Sequence, residues 1–119
     1  MKTAHLQEGR IAFQGDIGFR RVAKLPAGAK EQKVNGHIPL VNQRTGHQHT
    51  LASQGLKFYE SSDPLRAYIV FQGVSEVDVV HGRPHDTHET LRLSVGEGAV
   101  LEVIRQREMT PEGWRRVED

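Results

Sequence analysis

Two short stretches carry the residues whose types and spacing could do chemistry. The first is Gly46-His47-Gln48-His49. On a strand, residues two apart share a face, so the rings of His47 and His49 would leave the same side. Two neutral imidazoles at that spacing can share one metal ion. The second stretch is His85-Asp86-Thr87-His88, with His81 before it and Glu89 after it. Residues three apart point to opposite faces of a regular strand, so His85 and His88 converge only in a turn or bulge. Gly82-Arg83-Pro84 supplies turn formers at its start. The bland alternatives are a half-buried strand with two polar histidines and a hydrophilic loop.

The 35 residues between the two motifs hold about three strands and their turns. Separated segments of an antiparallel sheet are often neighbours, so His47 and His49 with His85, His88 or both make a three- or four-nitrogen site. An open coordination position would make it catalytic, and a closed tetrahedral set structural. Asp86 or Glu89 could be a further ligand, could orient a ring, or could carry a proton. Such ligands suit a divalent transition metal: zinc, copper, iron, nickel or manganese. Protons compete for neutral imidazole, so binding should weaken below about pH 6.5. His5 and His37 stand apart and read as surface histidines.

The elements that must position these residues are mostly strands. Ile11 to Val22 alternates in β fashion, interrupted at Gly15-Asp16. Lys30 to Val34 is polar and reads as irregular, and Asn35-Gly36 is a two-residue hairpin signal. Short β-like segments follow at 37–41, 47–51, 56–59, 67–71, 74–80, 90–95 and 99–105, separated by Gly- and Pro-rich turns. Arg105-Gln106-Arg107-Glu108 reads as an exposed or interface edge. Thr110, Pro111 and Glu112 suit a helix start, with Trp114 and Val117 on one face of a short C-terminal helix. The expectation is all-β: a small antiparallel β-sandwich or barrel, one domain over residues 1–119, with 1–10 loosely ordered.

Composition narrows the function classes. A chain of 119 residues buries enough surface for one core without staples. It has no cysteine, so disulfides and thiolate metal sites are excluded. A net charge of +1 argues against electrostatic nucleic-acid binding. Residues 1–40 carry +4 and the remainder −3, which reads as a solvated basic edge. No apolar run approaches the roughly 20 residues that span a bilayer. The start lacks the apolar stretch of a signal peptide, and the expected location is the cytoplasm. There is no Gly-x-Ser-x-Gly, phosphate loop or Gly-x-Gly-x-x-Gly.

The His-x-His pair and the later histidine resemble the cupins, small β-barrels that place paired histidines on one strand and another later. His47 and His49 match the pair, and His85 or His88 the later one. The glutamate usual after the pair is missing, since Leu51, Ala52, Ser53 and Gln54 stand there, and the usual Pro-x-Gly is absent. The chain is also similar, nearly end to end, to a group of short bacterial and phage-borne proteins. That likeness rests on Gly15-Asp16, Thr45-Gly46-His47-Gln48-His49, His85-Asp86-Thr87-His88, and Arg105-Gln106-Arg107-Glu108 with Pro111 and Arg116-Val117-Glu118-Asp119. It implies that the histidines belong to one pattern and implies no particular activity.

Two functions follow as expectations. One is a metal-binding, cupin-like protein, as an enzyme acting on a small-molecule ligand or as a non-enzymatic binder. The other is a non-catalytic assembly module of phage type. Either would self-associate, most simply as a dimer, because a short strand-rich chain has edges to cover.

Overall fold

A computed structural model describes residues 1–41, 48–81 and 89–105. These contain eleven strands and no helix. The strands are β1 (Lys2–His5), β2 (Ile11–Gln14), β3 (Ile17–Val22), β4 (Lys30–Gln32), β5 (His37–Val41) and β6 (Gln48–Ala52). Then come β7 (Leu56–Glu60), β8 (Arg66–Phe71), β9 (Glu76–His81), β10 (Leu91–Ser94) and β11 (Val100–Arg105). They form a five-stranded sheet in the order β1-β10-β9-β6-β5 and a six-stranded sheet in the order β2-β3-β11-β8-β7-β4. Every pairing is antiparallel except β1 with β10.

Period-2 patterning explains which residues face inward. In β5, His37 and Pro39 are exposed while Ile38 and Leu40 are buried. In β6, Gln48 and Ala52 are exposed while His49 and Leu51 are buried. Both sheets contribute to one apolar cluster: Ile38, Leu40, Leu51, Val79, Leu91 and Leu93 from one, Ile17, Phe19, Ile69, Phe71, Leu101 and Val103 from the other. Each such side chain contributes about 1.5–3 kcal/mol by leaving water. The central strands β8 and β11 read as near-continuous apolar runs because neighbours also cover their outer face. There Tyr68 Oη donates to Glu102 Oε2 at 3.1 Å, and Arg20 pairs with the other carboxylate oxygen.

The connections differ from the expectations in four places. Asn35-Gly36 closes no hairpin: β4 belongs to the six-stranded sheet and β5 to the five-stranded one, so the chain bends there to change sheets. Lys30–Gln32, expected to be irregular, pairs with β7 in register Lys30↔Glu60. Lys2–His5, expected to be loosely ordered, runs parallel to β10 with Lys2 opposite Leu91. Arg105, expected on an exposed or interface edge, is buried, because β11 lies between β3 and β8. Its guanidinium reaches both oxygens of Glu60 at 3.4 and 3.2 Å and the Pro64 carbonyl at 2.9 Å. The expected helix after Thr110 lies outside the described residues.

Candidate functional site

Gly15-Asp16 joins β2 to β3 as a two-residue hairpin loop, with Gln14 opposite Ile17. Gly15 takes a φ of 57° and Asp16 a negative one, the pattern of a II′ turn, which a glycine at the first loop position permits. Loop residues of such hairpins usually face solvent. Here Asp16 is 0% exposed and Gln14 is 1% exposed. The hairpin end is turned into the space between the sheets.

Across that space stands His49, also 0% exposed. Its Nδ1 is 2.7 Å from Gln14 Oε1, and its Nε2 is 3.1 Å from Asp16 Oδ1. The Gln14 amide is anchored on its nitrogen side: Nε2 donates to the backbone carbonyls of Val79 at 2.9 Å and Glu89 at 3.0 Å. Two carbonyl acceptors require the NH2 group at that end, so the amide oxygen must face His49. The Nδ1 of His49 therefore carries the proton and donates it to Gln14. The Nε2 nitrogen is left directed at the Asp16 carboxylate. The network links β2 of one sheet to β6 and β9 of the other.

His81 completes the cluster. It is the cross-strand partner of His49, and the two ring centroids are 4.4 Å apart at a 50° tilt. Burying the Asp16 carboxylate costs several kcal/mol unless an opposite charge or donors meet it. The His49 Nε2, 3.1 Å from Oδ1, is one such partner.

Of the four histidines nominated by spacing, the described residues place only His49, in the interior. His47, His85 and His88, with Asp86, lie outside the described residues. Glu89 is exposed, and its carboxylate pairs with the N-terminal ammonium at 3.0 Å rather than entering the cluster. His5 and His37 are exposed, as expected. No group of three or more metal-ligating side chains occurs among the described residues. Gln14, Asp16 and His81 were not nominated by spacing. The one signal for Asp16 was the Gly15-Asp16 pair within the group resemblance, since a turn aspartate otherwise reads as solvated.

A shallow groove elsewhere is lined by Ala52, Val74, Val77, Asp78 and Arg92. There Arg92 Nε and Nη2 donate to the two oxygens of Asp78 at 2.7 and 3.1 Å. That guanidinium holds the Asp78 carboxyl below its ordinary value.

Fold and site together define an all-β protein of two sheets with a buried histidine–aspartate–glutamine network. The chain belongs to a family described as a domain of unknown function (DUF8820), whose pattern matches residues 13–106. That span includes Gln14, Asp16, His49 and His81. No curated protein and no solved structure matches the chain. No helix among the described residues is long and apolar enough to cross a membrane.

Proposed function

We propose that this protein is a metal-binding β-sandwich of cupin-like type that holds a divalent transition metal through the Nε2 of His49. His47, His85 and His88 are the further histidine ligands that the motif spacing nominates. The observation that carries this reading is the anchored Gln14 amide. A metal-ligating histidine usually donates its other ring N–H to a fixed acceptor, which sets tautomer and orientation. Gln14 is such an acceptor, and it leaves Nε2 as the ligating nitrogen. The ion is zinc, copper, iron, nickel or manganese. Full enclosure of His49 and Asp16 favours a structural ion over an open, catalytic one. The cupin-like element rests on the His-x-His pair and the later histidine. The hairpins β5–β6, β7–β8 and β9–β10 each stay within one sheet and alternate between sheets, so the topology adds nothing to it.

Metal content of untagged protein tests the reading. One ion per chain is expected, lost when His47 and His49 are both replaced and kept when His5 and His37 are. Retention of the ion by the first variant would overturn it.

The proposal includes self-association, most simply as a dimer, in the cytoplasm, where a cysteine-free chain needs no oxidising compartment. Pro39 lies on the edge strand β5 and discourages pairing there, whereas the edge strand β2 presents the half-exposed Ile11. A non-catalytic assembly module remains the second reading, supported by these edges. A monomeric mass in solution at high micromolar concentration would overturn the dimer.

A further inference from the structure

We infer that a second copy of this chain pairs with it antiparallel along β2, so that the two six-stranded sheets continue as one across a two-fold axis. This rests on the self-association reading and names its surface and register. Four strands end the sheets: β1 and β5 in one, β2 and β4 in the other. An open edge invites another strand, and proteins guard it with charge or proline. Here β1 carries Lys2 and His5, β4 is Lys30-Glu31-Gln32, and β5 carries Pro39. Ile11-Ala12-Phe13-Gln14 of β2 has neither charge nor proline. Among the described residues its strand neighbour is β3 alone.

The backbone of β2 is set for such pairing. Gly9 N–H donates to the Arg21 carbonyl at 2.7 Å, and Arg21 N–H donates to the Arg10 carbonyl at 3.0 Å. With Gly9 at a φ of 86°, these bonds form a bulge that ends just before β2. The Arg10 carbonyl thus faces β3. Alternation along the strand turns the N–H and C=O of Ile11 and Phe13 to the other side, the open one. Both side chains lean back over Gly18, away from that edge: a Cβ there would lie 2.9 Å from Phe13 Cε1 and 3.5 Å from Ile11 Cδ1. Ile11 is still 42% exposed.

The edge is self-complementary, which selects a second copy over a foreign strand. A two-fold axis at Ala12 sets Ile11 opposite the partner's Phe13 and Phe13 opposite the partner's Ile11. That register engages every outward N–H and C=O of Ile11 and Phe13 on each copy, and a shift of two residues loses half of them. It also sets a β-branched side chain beside an aromatic one twice, a favourable cross-strand pairing. No like charges meet, since Arg10 falls opposite the partner's Gln14. The bulge at Gly9 and the turn at Gly15 stop the pairing at both ends, so the contact closes on itself as a dimer and forms no fibre. Two such short edges cover far less than the roughly 1,600 Å² of a standard interface, so dissociation is expected on the order of 10–100 μM.

The experiment is sedimentation equilibrium on the full, untagged chain from low to high micromolar concentration. Wild type, Ile11→Lys and Val80→Lys are compared, and thermal melting checks that each variant folds. Ile11→Lys should raise the dissociation constant by about 10-fold or more. Val80 is 49% exposed on β9 of the other sheet, and Val80→Lys should leave the constant unchanged. Should Ile11→Lys fail to fold, hydrogen exchange in wild type gives the same answer. The amides of Ile11 and Phe13 should gain protection as concentration rises. A wild-type dimer with unchanged affinity in a folded Ile11→Lys, or with those amides exchanging equally at low and high concentration, would overturn the β2 edge and leave self-association standing. Wild type that stays monomeric at high micromolar concentration would overturn both.

Discussion

At the residue scale, the enclosed pair His49–Asp16 makes a sharp energetic statement. Removing one partner of a buried pair takes away part of what offsets the other's desolvation. His49→Leu should therefore destabilise the metal-free protein by about 3–5 kcal/mol, measured by urea unfolding. A loss under 1 kcal/mol would mean that the pair is not enclosed as described. Tyr68 makes a second statement. Burial, followed by the adjacent Glu102 charge and the hydrogen bond to it, raises the phenol above its ordinary 10.0. The folded protein thus holds this proton more tightly than the unfolded chain. The associated stability is complete below pH 10 and is lost as pH rises through the folded value. Ultraviolet titration should show one tyrosine ionising late, and Glu102→Gln should bring it back toward 10.

The β2–β3 hairpin is the element on which the site depends, and its packing is tight. Phe13 pairs across the strands with Gly18, and its ring covers the glycine. A Cβ added at Gly18 would meet Phe13 Cε1 at 2.9 Å. Gly18→Val should displace that ring and cost about 1–3 kcal/mol, read as a lowered melting temperature. Because Phe13 directly precedes Gln14, the hydrogen bond from His49 to Gln14, and with it the proposed metal binding, should weaken in the same variant. Unchanged stability would show that the ring moves aside freely.

At the scale of the whole molecule, two sheets share one core, so a central residue reports on both. Phe19 is fully buried, pairs with Ala12 and Val103, and belongs to the cluster that also holds Leu51 and Leu93 of the opposite sheet. Phe19→Ala should cost about 3–5 kcal/mol in a single cooperative transition. Two transitions in the variant would indicate that the sheets unfold separately.

The sequence by itself determined the strand character and most strand positions, because alternation of apolar and polar residues is a local signal. The alternation through Ile17 and Phe19 was legible, as were the strands over residues 37–41 and 47–51. So was His49 as one residue of a chemical pair, and His5 and His37 as surface residues. What the sequence could not decide depends on which strands become neighbours. Asn35-Gly36 has hairpin chemistry, but the strands it joins find partners in different sheets. Arg105 has the charge of an edge residue, but β11 is inserted between β3 and β8, and Glu60 arrives from 45 positions away to meet it. Asp16 has the local context of a solvated turn. Only the folding of the hairpin end between the sheets brings it to His49, 33 residues later in the chain, and brings Gln14 to both carbonyls that set the histidine tautomer. Strand periodicity reports which side of a strand is buried. Tertiary structure alone decides what lies across from it.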